Sequence, residues 1–284
     1  VLNFKDLGTR ILSGIVFIAI LIGGILFNQY SFFIVFLIIL TLALSEFYGL
    51  LSKAGGVSLS KVMNVIGGIA LFAGSYCFFS SANSSLLVLV PFIIYLLALF
   101  ISELFLKRPN PIHSLAYAIL GQIYITLPLS LLSYLAFSYD FETGGYHYAY
   151  LLALFIFIWV NDSFAYLFGS AFGKHKMFER ISPKKSWEGF AGGAICAIIA
   201  SVIYAQFYTQ VPVVGWIGFA IVMVVFGTLG DLIESLFKRT LNVKDSGNLI
   251  PGHGGILDRI DSVLFAVPAQ FVYIELLTYF LNNK

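Results

Sequence analysis

Ile15-Val-Phe-Ile-Ala-Ile-Leu-Ile-Gly-Gly-Ile-Leu26 and Leu151-Leu-Ala-Leu-Phe-Ile-Phe-Ile-Trp-Val160 carry no polar side chain on any face. A strand of a membrane barrel alternates apolar with polar residues over about ten positions, so these runs are not barrel strands. A helix on the surface of a soluble domain keeps a polar stripe, and these have none. They read as helices surrounded by lipid. The rest of the chain agrees. Of 284 residues, 60% are hydrophobic and 11% charged, against about 25% charged in a soluble domain. With 16 Lys and Arg and 14 Asp and Glu, the chain cannot cover a water-facing surface while also placing 29 Phe, 16 Tyr and 3 Trp.

A bilayer core takes about 20 apolar residues per helix. Nine segments qualify: Ile11–Phe27, Phe32–Leu51, Val62–Phe79, Leu86–Leu106, Leu115–Phe137, Tyr148–Phe172, Trp187–Tyr208, Gly215–Phe237 and Ser262–Leu281. The third is the most dilute, because it contains Asn64 and the pair Gly67-Gly68. The expected fold is an all-α integral membrane protein with about nine transmembrane helices. The first run reads as a retained span, since it is long and has no small-x-small exit before Asn28 and Gln29. Cys77 and Cys196 sit inside apolar runs and read as packing residues, neither a disulfide nor a metal pair. A formal net charge of +2, with no basic stripe, argues against a nucleic-acid partner.

Lys and Arg near helix ends remain cytoplasmic. Lys5 and Arg10 precede the first span, and Lys53, Lys61, Lys107, Arg108, Lys174, Lys176, Arg180, Lys184, Lys185, Lys238, Arg239, Lys244 and Arg259 fall in the even-numbered connections. The alternate turns 28–31, 80–85, 138–147 and 209–214 contain no Lys or Arg, and of the 16 cations only Lys284 falls on their side. The pattern predicts a multi-pass protein of the cell inner or plasma membrane. Its amino terminus and active site face the cytoplasm, and its carboxyl terminus faces outside. Residues 1–110 are expected to form an amino-terminal bundle of spans one to four. Residues 111–284 hold spans five to nine and the two long charged loops, 173–186 and 238–261.

A carboxylate within a membrane is expensive and marks a functional candidate. Glu46 and Glu103 lie near cytoplasmic span ends, where a structural or interfacial role is expected. Asp162 lies inside the sixth span beside Asn161. The stretch after the eighth span is richer still. Pro251-Gly-His253-Gly254-Gly255 is a glycine-dominated turn feeding a new helix, whose free backbone N–H groups attract phosphate. Asp258 and Asp261 share one face of that helix, and Asp231 and Glu234 repeat the spacing on the helix before it. Oxygen ligands without a Cys or His cluster select a hard cation, Mg2+ foremost. Lys238, Arg239, Lys244 and Arg259 surround these acids with positive charge. Carboxylates, metal, glycine turn and cations are what phosphoryl or nucleotidyl transfer requires. Ser182-Pro-Lys184-Lys185-Ser186-Trp187-Glu188-Gly189 opens the seventh span, with Ser186 placed to cap it and the Lys pair placed to hold phosphate. Gly189 and Gly193 form a G-x-x-x-G that suits helix packing.

The pattern Ser235, Lys238-Arg239, Lys244-Asp245, His253-Gly254-Gly255, Asp258-Arg259 and Asp261 closely resembles the signature of phosphatidate cytidylyltransferases, the CDP-diacylglycerol synthases. Asn161-Asp162 with Ala165-Tyr166 and Gly169, and the stretch Ser182–Gly189, resemble further landmarks of that family, with Ser186 where Thr is more usual. The resemblance is firm over the carboxyl-terminal half. It implies that CTP and phosphatidic acid give CDP-diacylglycerol and pyrophosphate, in a homodimer with a polar funnel open to the cytoplasm and to lipid. Asp231, Asp258 and Asp261 are then the expected Mg2+ ligands, with room for a second cation. Together with Lys238, Arg239, Lys244, Asp245 and Arg259 they form the expected catalytic set. Asp162, Ser182, Lys184, Lys185, Glu188, Ser235, His253, Gly254 and Gly255 are the expected substrate contacts. A CTP-dependent lipid kinase of the polyprenol kind and a cation transporter are the competing readings. The first would release CDP, and the second would show symmetric repeats and broken helices, which the sequence lacks.

Overall fold

The structure is a computed structural model, and it describes residues 4–53, 56–81, 84–139, 145–247, 249 and 254–282. Among these, each expected apolar run is a helix: α1 Phe4–Phe27, α2 Gln29–Lys53, α3 Lys61–Phe79, α4 Leu86–Phe105, α5 Pro111–Phe137, α6 Ala149–Phe172, α7 Trp187–Tyr204, α8 Val213–Thr240 and α9 Leu257–Asn282. Eight of them are long and apolar enough to cross a membrane, and α1 adds the apolar stretch Leu12–Phe27. Among the described residues the strands form one short hairpin, β1 Lys176–Phe178 paired antiparallel with β2 Ser182–Ser186. It lies within the expected loop 173–186.

The chain divides into two compact units. The first holds residues 1–146 together with 240–260, and the second holds 147–239 together with 261–284. The expected division at residue 110 separates spans one to four from spans five to nine, a different partition from these packing units.

In the first unit, α5 is not uniform. The α-helical pieces Pro111–Gly121 and Leu127–Phe137 flank a π-turn, Gln122–Thr126. Pro128 has no N–H to offer the carbonyl one turn back, and its ring crowds that carbonyl. The wider turn places Leu127 N on Gln122 O. The π-turn also carries a buried polar network. Gln122 Nε2 donates to Asn64 O at 2.8 Å and directs its other hydrogen toward Tyr48 Oη at 3.1 Å and Tyr95 Oη at 3.3 Å. Tyr48 Oη donates to Ala118 O at 2.7 Å, Tyr95 Oη donates to Asn64 Oδ1 at 3.0 Å, and Thr126 Oγ1 donates to Gln122 Oε1 at 2.9 Å. Buried polar groups are tolerable in an apolar bundle only when paired in this way. The glycines that seemed to dilute α3 are packing positions. A Cβ on Gly68 would overlap Leu44 and stand 2.9 Å from Thr126 Oγ1, and one on Gly67 would strike the Tyr95 ring. Glu103 pairs with Arg108 at the end of α4, both nearly buried, which fits its expected structural role.

In the second unit, small residues bring α6 and α7 together. A Cβ on Gly193 would stand 2.7 Å from both Asn161 O and Asn161 Oδ1, and one on Gly189 would stand 2.7 Å from Ala165 O. The G-x-x-x-G pair is thus used for packing, as its spacing predicts. Ser186 Oγ accepts from Gly189 N at 3.2 Å and caps α7. Aromatic rings join α6, α7 and α8: Tyr150 stacks on Phe219 with centroids 5.7 Å apart, and Tyr204 meets Trp216 edge-on at 4.9 Å. Helices α8 and α9 are tied by Gln270 Nε2 donating to Phe219 O and Tyr273 Oη donating to Gly215 O, each at 2.7 Å. Further along the same contact, Gly230 leaves no room for a side chain: a Cβ there would be 2.6 Å from Asp261 O. This close approach sets Asp231 of α8 near Asp261 of α9.

Candidate active site

Three carboxylates converge in the second unit. Asp162 comes from α6, Asp231 from α8 and Asp261 from α9. Asp261 feels the charges of Asp231 and Asp162, and all three acids share the field of the Lys185 ammonium. Lys185 reaches from β2 and places Nζ 2.6 Å from Asp231 Oδ2. Ser235 Oγ, one turn along α8, donates to Asp231 Oδ1 at 3.3 Å, and Asn161 Nδ2 donates to Asp162 Oδ1 at 3.3 Å. Asp261 Oδ1 accepts from Ser262 N at 2.6 Å. Gathering like charges on apolar helices is unfavourable unless a cation joins them, and Lys185 is the cation that the protein itself supplies. Next to Ser235 on α8, buried Glu234 pairs with Lys238 one turn further on.

The hairpin fixes the reach of Lys185. Trp187 N donates to His175 O at 2.9 Å, which closes the hairpin onto the first turn of α7. Glu188 accepts from His175 N at 3.2 Å through both carboxylate oxygens, and its Oε1 lies 2.6 Å from His175 Nδ1. Glu188, expected beside substrate, therefore also braces the hairpin, and His175 is a partner that the sequence reading had not singled out. Lys184 is exposed, while Ser182 and Lys185 are half-buried.

Arg239 is exposed at the edge of the second unit, and the remaining signature residues belong to the first. Lys244, Asp245 and Arg259 are exposed. Asp258 Oδ2 accepts from Ser246 N at 2.9 Å, Ser246 Oγ at 3.0 Å and Gly255 N at 2.8 Å, so this oxygen organises the loop between α8 and α9. Gly254 has φ +81°, the left-handed region, and a Cβ there would stand 2.5 Å from Asp258 Oδ2. The loop's glycines serve first to let the protein's own carboxylates approach the backbone. His253 lies outside the described residues, as do Pro251 and Gly252.

Among the described residues no group of three or more His, Cys, Asp or Glu side chains is arranged to hold a metal ion by itself. Mg2+ does not need such a cage. It is commonly bound through one or two carboxylates, with water and substrate phosphates completing six oxygens. Asp231 and Asp261 offer oxygen donors of that kind, and the ammonium on Asp231 shows that the place accepts a cation. The donor chemistry fits.

Comparison with known proteins agrees with this chemistry. Residues 8–277 match the profile of the cytidylyltransferase family. A phosphatidate cytidylyltransferase of Staphylococcus saprophyticus is 32% identical over 265 residues, covering 92% of this chain and 94% of that protein. A phosphatidate cytidylyltransferase of Staphylococcus aureus is 46% identical over 135 residues, a stretch covering 46% of this chain and half of that protein (50%). One from Staphylococcus epidermidis is 45% identical over 136 residues, 47% of this chain and 52% of its own length. The match runs through both units and through every helix, and this chain belongs to the cytidylyltransferase family.

Proposed function

We propose that this protein is a phosphatidate cytidylyltransferase, which transfers CMP from CTP to phosphatidic acid and releases CDP-diacylglycerol and pyrophosphate for phospholipid biosynthesis. The observation that carries the proposal is the pairing of Lys185 with Asp231 amid Asp162 and Asp261, on helices whose composition suits a bilayer. It is a charged site on membrane helices, suited to a lipid that brings its own phosphate. The full-length relative bears the same activity in its name.

In this reading a phosphate oxygen of phosphatidic acid attacks the α-phosphorus of CTP. A new P–O–P bond forms in line with the one that breaks, and its electron pair leaves on pyrophosphate. No protein nucleophile is needed. The obstacle is repulsion between two anions, so positioned positive charge supplies most of the catalysis. Lys185 is half-buried, and its ammonium would be available to a phosphate once Asp231 served a bound metal instead. Lys184, Lys238 and Arg239 supply further charge, and the expected roles of Lys244, Asp245 and Arg259 stay within the proposal. Asp231 and Asp261, with Asp258 as the third expected ligand, would hold Mg2+, whose chemistry there would be to offset the charge on the transferring phosphoryl group. Asp162 holds its place against this pair. The expected homodimer, second cation, and cytoplasmic amino terminus and active site belong to the same proposal.

The test is to incubate the purified protein with CTP, Mg2+ and phosphatidic acid and to identify the products by chromatography. CDP-diacylglycerol with equimolar pyrophosphate is expected, and chelation by EDTA should stop its formation. Release of CDP with a phosphorylated lipid would favour the kinase reading, and ion flux in liposomes without turnover would favour a transporter.

A further inference from the structure

Glu46 lies near the end of α2, remote in sequence from every signature residue, yet its carboxylate sits within the loop that joins α8 to α9. Oε1 accepts from Ile256 N at 3.0 Å, Oε2 accepts from Leu257 N at 3.0 Å, and Ser246 Oγ lies 3.3 Å from Oε2. Those two amides open α9, where N–H groups have no partner inside the helix. A helix start also favours an anion. The fit is close on the loop side as well. A Cβ on Gly247 would stand 2.7 Å from Glu46 Oε1, and one on Gly255 would overlap Glu46 Oε2 and Ser246 Oγ. Ser246 is buried and is shared between Glu46 of α2 and Asp258 of α9.

We propose that Glu46 is a positioning residue for the transfer reaction: it clamps the signature loop and fixes the start of α9, the helix that carries Asp261. An acid placed only to reach water at a membrane face would not accept two successive amides at the start of another helix. The clamp also gives the amino-terminal bundle a part in catalysis. The helix α2 contributes no signature residue, but it sets the phase of one that does. The role assigned to Asp261 rests on the proposed cytidylyl transfer; the clamp itself does not.

Glu46→Gln keeps size and shape but turns an NH2 group toward donors, so at least one of the two amides loses its acceptor. Hydrogen exchange of the full-length protein in detergent should then quicken over residues 254–260, roughly 10- to 100-fold if a charge-assisted bond is what holds those amides. The kcat for CDP-diacylglycerol formation should fall by about 10²-fold, the scale of a 1 Å misplacement at a distance. The KM for phosphatidic acid should stay near the wild-type value, because Glu46 touches no substrate in this reading. Wild-type exchange over 254–260, or a wild-type kcat in a folded Glu46→Gln protein, would overturn the proposal. Should Glu46→Gln fail to fold, Glu46→Asp carries the same test. It keeps the charge on α2 and withdraws its reach by one methylene, and faster exchange with lowered kcat is again expected. Unchanged values there would equally overturn it. If wild-type protein made no CDP-diacylglycerol, the function reading would fail alone, since exchange is read without substrate.

Discussion

Lys185→Met separates a structural ion pair from a catalytic one, because the two roles predict different magnitudes. At the observed 2.6 Å, two unit charges attract by about 6 kcal/mol at an effective dielectric constant near 20. Little of that survives as stability. The side chain of Lys185 is 25% exposed and that of Asp231 34%, so both retain water when apart. Pairs of this kind contribute about 1 kcal/mol or less. The Met side chain keeps the length and the apolar stem of Lys while removing its charge. Thermal unfolding should therefore shift by only about 2–4 °C. Turnover should respond differently. Removing one preorganised donor from a developing charge costs about 3–4 kcal/mol, or roughly 10²–10³ in kcat. The assay follows pyrophosphate and CDP-diacylglycerol from CTP, Mg2+ and phosphatidic acid in mixed micelles, with a melting curve on the same preparation. A kcat within about fivefold of wild type, less than ~1 kcal/mol of barrier, would refute the assignment of Lys185 to a phosphate. A collapse of the melt with normal turnover per folded molecule would make the pair structural.

Asp261→Asn should abolish turnover while expression and melting stay intact, and it should weaken Mn2+ binding read by electron paramagnetic resonance in the presence of CTP; retained turnover would remove Asp261 from the metal site. Gly193→Ala adds a methyl group 2.7 Å from Asn161 O, where two helix backbones meet, and should destabilise the protein by about 1–3 kcal/mol in a melt. Gln122→Leu removes the centre of the network that joins Tyr48, Asn64, Tyr95 and Thr126, and should cost about 1–3 kcal/mol for each partner left unpaired. Its turnover per folded molecule should be unchanged, since nothing in that network belongs to the proposed site.

The helices were legible because lipid imposes a crude rule: about 20 apolar residues and no free backbone groups. Every such run is a helix here. Features that depend on what one helix meets on another were not legible. Gly67-Gly68 reads as weakness in a lone span and proves to be where α3 accepts Tyr95 and Leu44. The hairpin 176–186 is too short and too charged to give a period-two signal, and it is held by His175 and Glu188 across a turn. The acids show the same divide. Asp162 and Asp231 stand out in sequence because an unpaired carboxylate on an apolar helix needs a reason. Glu46 does not stand out, because an acid near a span end already has a sufficient reason in its access to water. Its partners are backbone amides 210 and 211 positions away, and a backbone amide has no letter in the sequence. A carboxylate that grips main chain is therefore the kind of functional residue that composition and motif pass over, and a folded structure is needed to bring it forward.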